Sequence, residues 1–266
     1  MKKGMLKKAA VLCLAAALAV VFTACGSSTK KTEEQKTYVV VTEPTFPPFD
    51  TTNKDGDLDG FDMDMVKAIA KDQGFKVKFK NMEFASLIPA VKAGNADIIA
   101  AGMNAQDPER RKKVDFTDTY YDSGLVVMVR KNETQITGED SLTSAMKVAS
   151  QTGTTGADEA NRLKKAGKIA NAVILDGFDT CVMQLKNGDV NAIIIDKPVA
   201  ENYMHQHEGE FKTVGKVLNA ESYGMAVKKG NTELKEKLNT GLKNIVKSGE
   251  FNKICDKWNI GSKFDK

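Results

Sequence analysis

The chain contains an internal repeat in which a helical pattern leads through a glycine into a short apolar strand. The first copy spans residues 84–99 and the second spans residues 178–193, without a gap in either. Each has a glycine where the helix would end, Gly94 in the first and Gly188 in the second. A uniformly apolar strand that follows a helix is typical of a buried parallel sheet. The repeat therefore predicts two similar α/β lobes, and a chance match between helix-to-strand patterns is the alternative.

The same repeat indicates where a ligand would bind. In open α/β sheets, ligands bind beyond the carboxyl ends of the strands. The strand of the first copy ends at Gly102, and that of the second ends at Asp196. We therefore expect the residues after Gly102, and Asp196 itself, to belong to the binding site.

The first 25 residues predict export and anchoring. A lysine-rich start precedes the uncharged run 9–24, which is shorter than the ~20 apolar residues of a membrane helix. This pattern predicts a signal peptide over residues 1–24. The run ends in Thr23-Ala24-Cys25, which resembles a bacterial lipobox although Phe22 stands where leucine is usual. We expect a lipidated Cys25 on the extracytoplasmic face of the cell membrane; a cleaved secretory peptide with an incidental cysteine is the alternative.

The composition of the chain after the signal segment predicts a flexible tether and a remainder without net charge. Residues 26–36 contain no apolar side chain, so residues 25–36 are predicted to be the lipidated cysteine and a flexible tether. The formal charge of +4 belongs to the signal segment, because removing its four lysines leaves 35 of the 39 basic residues against 35 acidic ones. A neutral chain lacks the clustered basic face that nucleic acid requires, so no nucleic-acid partner is expected. Cys181 and Cys255 are expected to be free buried thiols, with a disulfide as the alternative.

Local patterns predict the remaining elements that surround the repeat. Asp62 is expected to cap a helix, and Asp107 followed by Pro108 is expected to begin another. The other predicted elements are a strand over 37–42, a stiff proline-rich loop over 43–49, a strand over 221–227, and helices over 232–246 and 250–258.

Several motifs in a fixed order resemble one protein family. They are Glu43-Pro44-Thr45-Phe46-Pro47-Pro48-Phe49, Gly60-Phe61-Asp62-Met63-Asp64, Leu87-Ile88-Pro89-Ala90, Pro108-Glu109-Arg110, Val114-Asp115-Phe116-Thr117-Asp118, Gln151-Thr152-Gly153-Thr154-Thr155 and Ile195-Asp196-Lys197-Pro198-Val199-Ala200. Together they resemble the polar amino acid binding proteins of bacterial ABC importers, solute-binding protein family 3. The resemblance implies an α/β, two-lobe, periplasmic-binding-protein-like (type II) fold that bends at a hinge of two crossover strands. It places lobe 1 at residues 37–122 plus 219–266, and lobe 2 at residues 123–218.

The chemistry of a free amino acid and this resemblance together suggest how the α-groups would be bound. Arg110 can hold a carboxylate with two charge-assisted hydrogen bonds. Backbone N–H groups at Gly102 and Asn104 can add donors, and the resemblance adds Thr155 in the other lobe. Asp196 would accept hydrogen bonds from the α-ammonium.

The spacing around Arg110 departs from the family pattern. Arginine usually stands six residues past the strand-end methionine, whereas Arg110 stands seven past Met103. A one-residue insertion explains this shift and leaves open whether Arg110 or Arg111 binds the carboxylate. Asn104 and Gln106 stand where the family usually has hydroxyl side chains.

The side chain of the ligand would lie among four residues. Phe46 and Phe84 match the family's aromatic walls, Glu43 matches its frequent acidic contact, and Gln151 offers a neutral partner. Such a pocket favours a polar or basic amino acid, with arginine or lysine ahead of glutamine, and cystine less favoured.

Each residue assignment also has a plain structural alternative. Arg110 could be a surface arginine, Asp196 could cap the following helix, and both phenylalanines could belong to the core. His205 and His207 lie in a hydrophilic stretch, and we expect a solvated surface there rather than a metal site.

Three classes of function are compatible with these features. The leading one is a monomeric receptor, without catalytic activity, cofactor or metal, that delivers an amino acid to an ABC permease. The second is a dehydratase-like enzyme on the same fold, with Glu43 and Asp196 as acid and base. The third is a sensory ligand-binding module.

Overall fold

The computed structural model describes residues 35–264. The predicted signal peptide, Cys25 and residues 25–34 of the predicted tether lie outside the described residues. The strands are β1 Thr37–Thr42, β2 Thr51–Thr52, β3 Leu58–Asp59, β4 Lys76–Asn81, β5 Ile98–Ile99, β6 Val114–Phe116, β7 Tyr121–Ser123, β8 Leu125–Arg130, β9 Lys147–Gln151, β10 Asn171–Leu175, β11 Ala192–Asp196, β12 Phe211–Val214, β13 Glu221–Tyr223 and β14 Ala226–Lys228. The helices are α1 Phe61–Gln73, α2 Phe84–Ala93, α3 Pro108–Arg111, α4 Thr155–Lys165, α5 Phe178–Asn187, α6 Lys197–Gln206, α7 Thr232–Lys247 and α8 Glu250–Trp258.

Two five-stranded sheets organise the chain. The first has the order β4-β1-β5-β14-β6, and the second has the order β10-β9-β11-β8-β12. In the first sheet β1 runs parallel to β4 and β5, and in the second β9 runs parallel to β10 and β11. In the first sheet β14 runs antiparallel to β5 and β6, and in the second β8 runs antiparallel to β11 and β12. The two sheets are the centres of the two predicted lobes.

The repeat forms the same helix-to-strand unit in both sheets, as the sequence predicts. Helices α2 and α5 end at Gly94 and Gly188, whose φ angles are 81° and 85°. Glycine adopts this left-handed conformation without the steric cost of a Cβ atom, so both helices stop at the predicted residue. The strands that follow, β5 and β11, are fully buried at the centre of their sheets.

Strands β7 and β13 form a separate antiparallel pair between the two sheets. This pair corresponds to the two crossover strands that the resemblance implies. The strand predicted over 221–227 is divided, because β13 pairs with β7 whereas β14 pairs with β5 and β6. At the break, the Gly224 N–H donates to the carbonyl of Met103, which draws the chain toward the first sheet. The lobe boundaries at residues 122/123 and 218/219 stay a prediction.

One prediction from the sequence about helix α1 is wrong. Asp62 does not cap the helix, which begins at Phe61 after Gly60. The Asp62 side chain is buried, and its Oδ2 accepts hydrogen bonds from Gly102 N at 2.9 Å and Tyr120 Oη at 2.7 Å. Tertiary partners therefore replace the local cap, and they tie α1 to the end of β5 and to the hinge.

The carboxy-terminal helices close the first lobe. Both α7 and α8 pack against α1, and Trp258 Nε1 donates to Asp64 at 2.9 Å.

Cys181 and Cys255 are buried and are not joined by a disulfide, as expected. Within residues 35–264, every helix is too short or too polar to cross a membrane.

Candidate functional site

Arg110 lies between the two sheets, at the carboxyl end of the strands of the first. The Asp107 side chain caps α3 by accepting hydrogen bonds from the backbone of Glu109 and Arg110, so the predicted helix start is confirmed. Arg110 is only 7% exposed, and its Nη2 donates to the carbonyl of Gly153 from the second lobe at 3.1 Å. Arg111 is exposed and donates to the carbonyl of Ala105 at 2.9 Å. The structure thus places Arg110, and not Arg111, in the cleft.

The surroundings of Arg110 are those of a charged group removed from water. Burial lowers the pKa of Arg110, and the nearby carboxyl groups of Asp107, Glu221 and Asp196 oppose that shift. The guanidinium also faces the Phe84 ring at 5.4 Å from its centroid. Since arginine keeps its charge in proteins, this is a buried cation that an anion can approach.

Asp196 lies at the carboxyl end of β11, as predicted, and is 5% exposed. Its side chain does not cap α6, so the structural alternative for this residue is wrong. Instead its Oδ1 accepts a hydrogen bond from Tyr223 Oη at 2.6 Å, across the hinge. Burial, followed by the neighbouring Glu221, raises the pKa of Asp196 well above its usual value.

Glu43 and Gln151 join the two lobes. Gln151 Nε2 donates to Glu43 Oε2 at 2.8 Å and to the carbonyl of Asp176 at 2.9 Å. Thr45 Oγ1 donates to the same carboxylate oxygen at 2.8 Å. Burial raises the pKa of Glu43, and the hydrogen bonds from Gln151 and Thr45 act in the opposite direction. The predicted acidic contact is therefore a buried interlobe carboxyl group.

The two predicted aromatic walls have different neighbours. Phe46 is buried and lies within 6.0 Å of the rings of Phe49, Phe178 and Tyr223, measured between centroids. Phe84 is partly buried beside Arg110. Phe46 thus also belongs to an aromatic cluster, whereas Phe84 faces the charged end of the cleft.

Gly102 has a different partner from the predicted one. Its N–H donates to Asp62, so it is not directed at a carboxylate in the cleft. A Cβ atom here would lie 2.3 Å from Cε1 of Phe46, and the φ angle is 51°. This position requires glycine because the Phe46 ring packs directly against the backbone.

The role expected of Asn104 concerns its backbone N–H and stays a prediction, whereas its side chain has partners within the protein. Its Oδ1 accepts hydrogen bonds from Gln106 N at 3.0 Å and Ser222 N at 3.4 Å, so it supports the loop against β13. Its backbone carbonyl lies 3.5 Å from Arg110 Nη1. Thr155 is the first residue of α4, where backbone N–H groups lack helical partners, so its predicted role has a geometric basis.

Two cavities are bordered by residues of these contacts. One of about 690 Å³ is bordered by Phe84, Arg110, Gly153 and Asp158. Another of about 660 Å³ is bordered by Glu43 and by three further carboxylates, Glu83, Asp176 and Asp179. The second cavity is therefore strongly acidic, which matches the predicted preference for a cationic side chain.

Sequence reasoning missed three residues of this site. Thr45 Oγ1 accepts a hydrogen bond from Phe178 N at 2.9 Å, and its carbonyl accepts one from Tyr203 Oη at 3.0 Å. Tyr223 and Glu221 lie on β13 and surround Asp196. The sequence predicts a strand over 221–227, but its pattern does not indicate that this strand belongs to the site.

The geometry and the comparisons with known proteins agree on the class of protein. Residues 38–261 match the bacterial extracellular solute-binding proteins, family 3. The chain therefore belongs to this family, and the fold is the two-lobe α/β fold that the sequence predicts.

Individual relatives cover nearly the whole chain. The probable histidine-binding protein of Neisseria gonorrhoeae is 32% identical over 260 residues, 94% of this chain and 93% of the relative. The arginine-binding extracellular protein ArtP of Bacillus subtilis (strain 168) is 32% identical over 269 residues, 97% and 100% of the two chains. Among solved structures, an ancestral arginine-binding protein bound to arginine is 40% identical with a TM-score of 0.80, over 84% of this chain and 98% of that one.

Proposed function

We propose that the protein is an extracytoplasmic receptor that binds a polar or basic L-amino acid between its lobes and delivers it to an ABC importer. One observation supports this most directly. A buried guanidinium, Arg110, lies in the same interlobe region as a buried carboxyl group, Asp196, and each comes from the strand ends of a different lobe. An amino acid zwitterion carries the complementary pair, a carboxylate and an ammonium.

The acidic side of the cleft supports a cationic side chain. Glu43 is buried there, whereas Glu83, Asp176 and Asp179 border the same cavity and are exposed. A cationic tip would be attracted by these groups, whereas a short apolar side chain would leave Glu43 and Gln151 without a partner from the ligand. Arginine or lysine is therefore favoured over glutamine, in accord with the arginine-binding relatives.

The remaining parts of the proposal come from the sequence and the family. A lipid on Cys25 would hold the receptor at the outer face of the membrane, beside the permease that accepts its ligand. The receptor acts as a monomer and carries no catalytic activity. Both candidate catalytic carboxyl groups, Glu43 and Asp196, are occupied by protein hydrogen-bond donors, which suits binding rather than turnover.

A thermal-shift screen with each of the common L-amino acids, ornithine and cystine tests the function. A ligand present at ~100 times its Kd stabilises the folded form by ~2.7 kcal/mol, so arginine or lysine should raise the melting temperature clearly. Calorimetric titration of each hit then gives its affinity. A screen in which no amino acid stabilises the protein would contradict the proposed function.

A further inference from the structure

Thr45 contacts the second lobe through three different groups. Its hydroxyl oxygen Oγ1 accepts a hydrogen bond at 2.9 Å from the backbone N–H of Phe178, the first residue of α5. Its carbonyl accepts one from Tyr203 Oη on α6 at 3.0 Å. A Cβ atom on Gly177 would lie 3.1 Å from the methyl carbon Cγ2 of Thr45, so this methyl group lies close to the backbone before α5. These contacts hold the proline-rich loop of the first lobe against two helices of the second.

The same hydroxyl also binds the carboxyl group of Glu43. Thr45 Oγ1 donates to Glu43 Oε2 at 2.8 Å, and Gln151 Nε2 and Thr45 N donate to the same oxygen at 2.8 Å and 3.3 Å. Within residues 35–264, the other oxygen, Oε1, accepts no hydrogen bond. Glu43 borders the acidic cavity of about 660 Å³. One oxygen is thus bound by the protein, whereas the other remains for a donor from a ligand.

The two hydrogen bonds of the Thr45 hydroxyl depend on each other. A threonine hydroxyl has one proton to donate and lone pairs that accept, whereas a carboxylate only accepts. Glu43 therefore directs the hydroxyl proton toward itself and leaves a lone pair for the N–H of Phe178. This N–H has no partner within α5, and the N-cap residue Gly177 has no side chain to accept from it, so Thr45 accepts it from the other lobe. The position of α5 is thus joined to the orientation of the Glu43 carboxyl group.

We propose that Thr45 is a positioning residue that gives the site its preference for a cationic side chain. Its hydroxyl fixes Glu43 through Oε2, so that Oε1 is left for an N–H group of a guanidinium or ammonium tip. Through Phe178, the same hydroxyl holds α5 in place when Glu43 has this orientation. The inference rests on the proposed function, because it takes Glu43 as the partner of the cationic tip. A neutral amide tip gains less from this arrangement, since charge-assisted hydrogen bonds are the stronger ones.

Thr45→Val removes the hydroxyl and keeps the shape of the side chain. Calorimetric titration with L-arginine, L-lysine and L-glutamine measures the affinities of the variant and of wild type. We expect a loss of about tenfold or more for a cationic ligand, the lower end of the range for a hydrogen bond to a charged group, and clearly less for glutamine. Thr45→Ser keeps the hydroxyl and should restore the wild-type preference. Thr52→Val, the same change at an exposed position of β2 in the first lobe, should bind as wild type does.

A double-mutant cycle shows whether Thr45 acts through Glu43. In the Glu43→Gln background there is no carboxylate to orient. The loss of affinity for arginine or lysine caused by Thr45→Val should therefore be at least about fivefold smaller in that background than in wild type. A residue that only supports the fold would cause the same loss in both backgrounds, and the same loss for arginine as for glutamine.

The possible results separate this inference from the proposed function. If wild type binds none of these ligands and no other amino acid, the proposed function fails. Binding of arginine or lysine with equal losses in the two backgrounds would overturn only the role of Thr45. A wild type that binds glutamine but neither cationic amino acid would also overturn that role. If circular dichroism shows that Thr45→Val does not fold, Thr45→Ala removes the same hydroxyl and replaces it in the cycle.

Discussion

Arg110 and Arg111 are neighbours in the sequence, but their surroundings differ. We therefore expect opposite effects on binding when each is replaced by alanine. Arg110→Ala should weaken arginine binding by about 2–5 kcal/mol, because the ligand carboxylate would be buried without its cation. Arg111 is exposed and bonded to a backbone carbonyl of its own loop, so Arg111→Ala should change binding by no more than about 0.5 kcal/mol. Calorimetric titration of the two variants checks this. A large loss with Arg111→Ala alone would mean that the register through the insertion is wrong.

Glu43 should determine the charge of the accepted side chain. Glu43→Gln keeps an oxygen that can accept from Thr45 and Gln151 but removes the negative charge. The variant should lose about 1.5–3 kcal/mol of affinity for arginine, the range for a hydrogen bond to a charged group, and much less for glutamine. Competition between the two ligands measures this difference. An equal loss for both ligands would show that Glu43 only holds the lobes together.

At the scale of elements, the features that the sequence predicts well are those with a local cause. Helices α2 and α5 follow from helical periodicity and from Gly94 and Gly188, and α3 follows from Asp107 before Pro108. In each case the residues that determine the element lie within a few positions of it. Arg110 and Asp196 could be proposed as site residues for a related reason, because both follow apolar strands.

The features that the sequence does not predict depend on distant partners. Tyr223 contacts Asp196, 27 residues away, and Thr45 contacts Phe178, 133 residues away. The same explanation applies to Asp62, whose expected cap gives way to donors from Gly102 and Tyr120. The local sequence shows which hydrogen bonds a side chain can make, but the tertiary structure determines which of them form.

Asp62, on helix α1, should contribute to the pH dependence of stability. Burial raises the pKa of Asp62 to about 7, although hydrogen bonds from Gly102 and Tyr120 lower it. Between pH 4 and 7 the folded protein then binds more protons than the unfolded chain, whose aspartates ionise at about 3.9, so stability falls as pH rises. The slope from one such group is at most about 1.4 kcal/mol per pH unit. Asp50 adds to it, because burial and the charge of Asp62 raise its pKa as well.

Asp62→Asn should therefore reduce this slope. The asparagine oxygen can still accept from Gly102 and Tyr120, but no proton is bound or released at this position. Urea unfolding at pH 5, 6, 7 and 8 measures the effect, with Asp72→Asn as an exposed control on the same helix. We expect the control to keep the slope of wild type. Equal slopes in wild type and Asp62→Asn would show that Asp62 is ionised throughout this range.

At the scale of the whole molecule, three hydrogen bonds between the lobes are made by polar groups of the binding cleft. Arg110 donates to Gly153, Gln151 donates to Glu43, and Tyr223 donates to Asp196. A ligand that supplies a carboxylate, a cationic tip and an ammonium would offer Arg110, Glu43 and Asp196 partners of opposite charge. Ligand binding and lobe closure would thus use the same side chains, so the closed arrangement would be favoured most when the ligand is present.

Membrane anchoring should be separable from ligand binding, because Cys25 precedes Glu43, the first residue assigned to the cleft, by 18 positions in the sequence (43 − 25). A diacylglycerol on Cys25 supplies two acyl chains, enough for stable attachment to a bilayer. Cys25→Ala should move the protein from the membrane fraction to the soluble extracytoplasmic fraction, with its affinity for arginine within about twofold of wild type. Fractionation followed by mass spectrometry of the amino-terminal peptide measures both the location and the lipid. Cys181→Ala serves as the control, since this buried thiol should leave membrane attachment unchanged. Recovery of the wild-type protein in the soluble fraction, without lipid on Cys25, would show that the lysine-rich start directs secretion alone.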